Sequence, residues 1–284
     1  MCPALLIGAK CRNHVKLEVM NETKREPTYP SDLTDEMWAI LEPLLPINTA
    51  AGRPCETDLR AVIDAIFYRI RTGCQWRYLP RDFPPPGTVY YYFRQWAKDG
   101  TWSRINEALR KQERVKRGRT PEPSGAILDS QSAKTTEVGG ERGFDAGKNV
   151  NGRKRHVLSD TVGNLLEVVV NAADTDDRGG AKSLIDKLPT ETLSWIKHIW
   201  ADGGYSGKPF ASWIRNTLNA TLEIASRPPN VKGFVVVPVR WVVERTLAWL
   251  SRYRCLSKDY ERCTKSSEAV IYAASISTML KRLT

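Results

Sequence analysis

A chain of 284 residues, 41% hydrophobic and 26% charged, is long enough for a real core with a smaller appendage and too apolar to be disordered over most of its length. Lys and Arg number 43 against 32 Asp and Glu, and the net charge of +11 favours a polyanionic partner, nucleic acid first, over an acidic or neutral one. No run approaches the roughly 18 apolar residues of a membrane span, Ala4 to Ala9 is too short for a signal-peptide core, and the six cysteines have neither zinc-site spacing nor disulfide-scaffold density, so a soluble cytoplasmic protein with reduced thiols is expected.

Residues 1–28 show no sustained periodicity and contain a second methionine, Met20, so a disordered tail or an over-called start is expected there. From Thr34 the pattern turns helical: Thr34 is a capping residue, Asp35 and Glu36 suit a first turn, and Trp38, Leu41 and Leu45 keep one face before Pro46. Thr57 is expected to cap a second helix with Leu59, Val62, Ile63, Ile66, Phe67 and Ile70, and Gly73 to stop it. After the proline-rich turn from Phe83 to Gly87, Thr88 is the expected cap of a helix with Val89, Tyr92, Phe93 and Trp96. Gly100 ends it, and Thr101 opens another with Trp102, Ile105 and Leu109. Residues 29–111 thus read as a small all-helical module whose aromatic stripes are core. Arg114, Lys116 and Arg117 fall in a basic linker, residues 112–124, that is either solvated or in contact with phosphates.

Residues 125–284 have an α/β texture. Ala126 to Leu128 predict a short strand ending on Asp129, and His156 to Asp160 with Leu165 to Val170 predict a hairpin turning at Gly163 and Asn164. A helix over Asp177 to Leu188 leads to a strand, Ile199 to Ala201, that delivers Asp202. A helix over Lys208 to Leu218, a strand over Leu222 to Ala225, and the apolar Phe234 to Val237 follow. Glu244 lies in a helix with the stripe Val239, Val243, Leu247 and Leu250, and a last helix runs from Glu268 to Leu283. The order predicts a mixed sheet with helices.

Asp129 and Asp202 at strand ends and Glu244 bordering a packed stripe are placed to converge, although each alone has a blander reading as a turn former or a surface residue. Together, three carboxylates need cations to offset their repulsion, and hard oxygen donors suit Mg²⁺ or Mn²⁺. Two such ions about 4 Å apart clamp the attacking and leaving oxygens of a phosphoryl displacement. Lys148, Arg153, Lys154 and Arg155, in the segment leaving the Asp129 strand, are expected to contact a DNA backbone rather than stay a solvated loop, and His156 is expected to be structural. Trp76, Trp200 and Trp249 are assigned to packing.

Five words carry a resemblance: TGCQWRYLP with DFPPPGTVYYYF in the helical part, ILDSQSAKTTEVGGERGFDAGKNVNGRKRH around Asp129, WADGGYSGK around Asp202, and VVERTLAWLSRYRCLSKDYE around Glu244. In colinear order from Tyr29 to Leu283, the chain resembles a DDE transposase of bacterial insertion sequences, in the four/five superfamily and nearer its five branch. The resemblance implies a ribonuclease H-like mixed-sheet catalytic domain preceded by a helical DNA-binding module. It also implies Asp129, Asp202 and Glu244 as the catalytic and metal-binding triad, with Mg²⁺ or Mn²⁺, two ions, as cofactor. The implied partners are double-stranded DNA, both element ends and target, and a second copy, because two ends must be held together. A nucleoid-associated place in a bacterial cytoplasm goes with this. The wider superfamily often has Tyr seven before the glutamate, Arg four before and Lys seven after; here these are Val237, Arg240 and Ser251, and Arg240 is the expected phosphate contact. Two rivals stay open: a nuclease that cuts without joining, and an inactive or repurposed DNA-binding descendant.

Overall fold

A computed structural model describes residues 27–46, 57–225 and 239–284. The tail expected up to residue 28 lies almost wholly outside them, as does Phe234 to Val237.

Local capping sets the helical part. Helix α1 (Asp35–Leu41) begins where the Thr34 hydroxyl accepts the Met37 N–H at 3.2 Å, and α2 (Leu59–Thr72) stops at Gly73 with φ +78°, a value that costs a glycine nothing. Asp58, not Thr57, caps α2: its carboxylate accepts the Ala61 N–H at 3.0 Å and adds a negative charge at the positive end of the helix. Helix α3 (Pro86–Lys98) starts ahead of Thr88 because proline is pre-set for a first helical turn. Helix α4 (Thr101–Lys116) carries through residue 111, so the expected linker begins inside a helix.

The sheet is built from β1 (Gly125–Lys134), β2 (Gly143–Asp145), β3 (Val150–Asp160), β4 (Leu165–Ala172), β5 (His198–Ala201) and β6 (Thr221–Ile224). β3 pairs antiparallel with β1 on one side and with β2 and β4 on the other; β5 and β6 continue beyond β1 in parallel. The predicted hairpin is β3–β4. Asp160 closes it by accepting the N–H groups of Val162, Gly163 and Asn164 at 2.9, 2.8 and 2.9 Å while Gly163 takes φ +95°.

Helices α5 (Asp177–Ile185), α6 (Thr190–Trp195), α7 (Lys208–Leu218), α8 (Arg240–Leu250) and α9 (Thr264–Leu283) complete the described chain. Alternation along the strands sends side chains to two cores. Ile127, Val157, Val168 and Val170 pack with Val243 of α8, Ile276 of α9, and Phe67, Phe93 and Trp102 of the helical part. Ala126, Leu128, Leu158 and Val169 pack with Leu184, Phe210 and Ile214. The helices before β1 therefore share one core with the sheet. Residues 29–111 do not close a core of their own, because α9, apolar around most of its circumference, is buried between them and β4.

Candidate active site

Strand register brings the two aspartates together. β1 and β5 run parallel with Leu128 opposite Ala201, so the next residue on each is Asp129 and Asp202, about 5 Å apart between backbones, one strand spacing. β5 ends there, but β1 does not: pairing with β3 continues from Asp129 opposite Val157 to Lys134 opposite Gly152. The expected strand end at Asp129 is thus corrected. The site opens because the neighbouring strand stops: among the described residues, that edge of β1 is unpaired from Asp129 until Asp259 meets it, where the Asp259 N–H donates to the Lys134 carbonyl at 2.8 Å. Asp129 is 9% exposed, and its Oδ1 accepts the Ser130 N–H at 2.7 Å; Asp202 is half-buried and caps the turn Gly203–Tyr205 by accepting the Gly204 N–H at 2.9 Å.

Another carboxylate, which the sequence analysis treated only as a helix start, approaches Asp202. Asp177, first residue of α5, accepts the Ser130 hydroxyl at 2.8 Å and lies 3.4 Å from Lys154 Nζ. A Cβ on Gly204 would stand 2.8 Å from Asp177 Oδ2 and 3.1 Å from Asp202 Oδ1, so the two carboxylates converge above that glycine, and a larger residue there would displace one of them. The signal in the sequence was the run Asp174, Asp176, Asp177: Asp176 is used as the cap, accepting the Gly179 N–H at 2.9 Å, which leaves Asp177 to face the strands. Beneath lies Tyr205, fully buried. Burial pushes its hydroxyl pKa up, and the charges of Asp177, Asp129 and Asp202 push it further in that order.

His156, opposite Ser130, is also fully buried. Burial lowers its pKa to about 4, against the pull of Asp177, and its ring fills the space where a Cβ on Gly180 would sit, 2.1 Å from Cε1. It is neutral at ordinary pH and packs α5 onto β3.

Glu244 is on α8 and exposed; that helix packs through Val242, Val243 and Leu250. Among the described residues, no three His, Cys, Asp or Glu side chains stand close enough to hold a metal ion. The expected convergence therefore divides: Asp129 and Asp202 are neighbours, and Glu244 is not gathered with them into a ready cage. Arg240 opens α8, and its side chain lies outside the described residues. The donors that do meet are all carboxylate oxygens, a set that fits a hard divalent cation.

The basic residues also divide. Arg153 is 0% exposed and donates to Asp259 Oδ1 at 2.9 Å, Ser267 Oγ at 2.9 Å, and the carbonyls of Glu141, Glu261 and Arg262 at 2.8, 2.6 and 2.8 Å. Lys154 is buried against the Thr175 carbonyl at 2.8 Å, and Arg155 donates to the carbonyls of Leu256 and Lys258 at 2.9 and 3.1 Å. Arg114 pairs with buried Asp160 at 2.9 Å. These four are corrections to the expected DNA contacts: three stand on β3, whose two faces are covered, and Arg114 on α4 is turned against the hairpin turn, so their donors are spent inside. Lys148, Lys116 and Arg117 remain exposed, with Lys148 Nζ donating to the Ser130 carbonyl at 3.1 Å.

The geometry agrees with comparisons to known proteins. The chain belongs to the transposase DDE domain family, which matches residues 120–279 and so more than half of the chain. The family described as putative transposase of IS4/5 family matches residues 33–106. The chain is 28% identical over 117 residues to a putative transposase for insertion sequence element IS402 of Burkholderia cepacia, the match covering 39% of this chain and 54% of that protein. It is 29% identical over 118 residues to an IS402 insertion element uncharacterized 16.2 kDa protein of the same organism, covering 39% of this chain and 78% of that one. The chain thus spans about half the length of the first of these relatives. No helix of the described residues is long and apolar enough to cross a membrane.

Proposed function

We propose that this protein is a DNA transposase that binds the ends of an insertion sequence, frees a 3′-hydroxyl by phosphodiester hydrolysis, and transfers it to target DNA. The observation that carries this reading is the register of β1 and β5, which sets Asp129 beside Asp202 at the uncovered edge of β1. Its support also includes the family match and the strand order: three antiparallel strands, β4, β3 and β1, continued in parallel by β5 and β6, as in a ribonuclease H-like sheet.

Two carboxylates on neighbouring strand ends repel each other, which favours a cation between them. Asp129 and Asp202 would hold Mg²⁺ or Mn²⁺, and Glu244 on α8 would complete the set when DNA is bound. When bound, two such ions supply charge neutralisation at the attacking and leaving oxygens. The chain's own part is placement. Asp177 is bonded to the Ser130 hydroxyl of β1 and stands beside the Gly204 turn after β5, and Tyr205 is buried beneath them. Arg240, Lys148, Lys116 and Arg117 would hold phosphates, the helices before β1 would take element ends, and a dimer or larger assembly would pair two of them in the bacterial cytoplasm.

The test uses a supercoiled plasmid carrying the DNA that flanks the gene on both sides. With Mg²⁺ the parent is expected to nick at the element ends and join them to target, and Asp129→Asn to lose at least about a hundredfold in rate, as for removal of a charge-stabilising group from an active site. Equal rates in the two proteins would remove the catalytic assignment; nicking without joined product would make the protein a nuclease.

A further inference from the structure

With Arg114, Arg153, Lys154 and Arg155 turned inward, the surface has to offer its cations elsewhere, and it does so around a groove of about 650 Å³ lined by Lys134, Arg142, Phe144, Asn149, Asn151 and Lys258. Three cations stand against one acidic lining residue, Glu137, and all of these side chains are exposed. A hydroxyl in the same lining, Thr136 Oγ1, is buried without a hydrogen-bond partner.

Phe144 is the unusual member. It is 54% exposed in the middle of β2, an edge strand, where proteins ordinarily place a charge or a proline. Its outward direction is fixed. The next residue, Asp145, is buried and accepts the Ser132 hydroxyl at 2.5 Å and the Lys148 N–H at 3.1 Å, so strand alternation leaves Phe144 facing solvent. Asn151 is its direct partner across the β2–β3 pair and shares its face.

The groove lies at the far end of the β1 overhang, where Lys134 is the β1 residue in its lining. From Asp129 to Lys134 the strand covers about 17 Å at 3.3 to 3.4 Å per residue, close to the rise of five stacked base pairs. The β2–β3 turn is tied to the site by the Lys148 bond to the carbonyl of Ser130, the residue after Asp129.

We propose that this groove holds an unpaired nucleotide of the DNA strand leaving the Asp129 site. The base stacks on Phe144 with the Asn151 amide at its edge, and the flanking phosphates rest on Lys134, Arg142 and Lys258. An aromatic face among cations is the arrangement that binds single strands: the π surface takes any base, and the charge follows the backbone. A paired base offers no free face to Phe144, so intact duplex does not use the ring. This assignment rests on the reading of the protein as an enzyme acting on DNA.

The experiment measures binding of the full chain, in EDTA to stop cleavage, to a blunt duplex and to the same duplex with an unpaired tail of about five nucleotides carrying 2-aminopurine. Wild type is expected to bind the tailed DNA more tightly and to quench the fluorophore. Phe144→Ala is expected to lose the quenching and roughly tenfold or more of tailed-DNA affinity while blunt duplex changes less than about twofold, and Phe144→Trp to restore both. Lys134→Ala and Lys258→Ala should each lower the salt slope for tailed DNA by about 0.7. Tailed-DNA binding and quenching untouched by Phe144→Ala, or an equal loss on blunt duplex, overturns the groove assignment and leaves DNA binding standing; no binding of any DNA overturns both readings.

Discussion

Arg153, Lys154 and Arg155 are consecutive in the chain and buried, whereas Lys134, Arg142 and Lys258 come from three separate segments of the chain and stand exposed around one groove. The difference teaches that a basic run marks a surface only when its strand has an open face. From Gly152 to Asp160, β3 has β1 on one side, β2 and β4 on the other, and a packed core above and below, so a cation on that stretch must find its partner inside. β2 and the end of β1 lie at the sheet's rim, where no described residue packs over Phe144 or Lys134.

The largest test of this contrast is Arg153→Ala. It leaves Asp259, itself 3% exposed, without the guanidinium 2.9 Å away, and the loss of stability is expected to be about 3 to 5 kcal/mol by urea unfolding. A variant as stable as its parent but weaker on DNA would return Arg153 to the surface role first expected of it.

A second test uses an interior carboxyl. Burial pushes Glu167 up from 4.5 to about 7, against the hydrogen bond it accepts from Tyr272 and the charge of Lys187. Because the folded value is the higher one, its favourable contribution is complete below about pH 4.5 and is lost as pH rises through about 7. Glu167→Gln is therefore expected to be more stable than wild type above pH 7 and to lose that advantage as pH falls to about 4.5, read from unfolding midpoints across that range. An advantage independent of pH would mean that Glu167 is ionised in the fold.

The smallest stability effect belongs to the rim. Lys148→Ala removes an exposed ammonium and one bond to the Ser130 carbonyl, so its stability should stay within about 0.5 kcal/mol of wild type. Its salt slope for duplex DNA should fall by about 0.9, the value for one phosphate contact. An unchanged slope would place the DNA path away from the β2–β3 turn.

Elements governed by near neighbours were legible. Thr34 caps α1, Gly73 stops α2, Gly163 turns the hairpin, and α7 spans Lys208 to Leu218 as its periodicity predicts. The misses came where two local signals competed or a distant partner decided. Asp58 displaced Thr57 because two good caps stand side by side, and Pro86 started α3 ahead of Thr88. β1 outran Asp129 because β3, 18 to 28 residues later, goes on pairing with it. Asp177 was hidden because an acidic residue at a helix start already has a sufficient local explanation.

The sequence by itself determined the chemistry on offer: which carboxylates exist, which apolar runs lead into them, and which family's words surround them, since side-chain type and local hydrogen bonding are written residue by residue. The tertiary structure alone decided which groups meet and which face water. Strand register put Asp202 beside Asp129, Asp177 came in from a helix, Glu244 stayed on an exposed face of α8, and two cores closed over Arg153 while leaving Phe144 in the open. The reason is that pairing and burial depend on residues tens to more than a hundred positions apart, whose mutual placement no local pattern encodes.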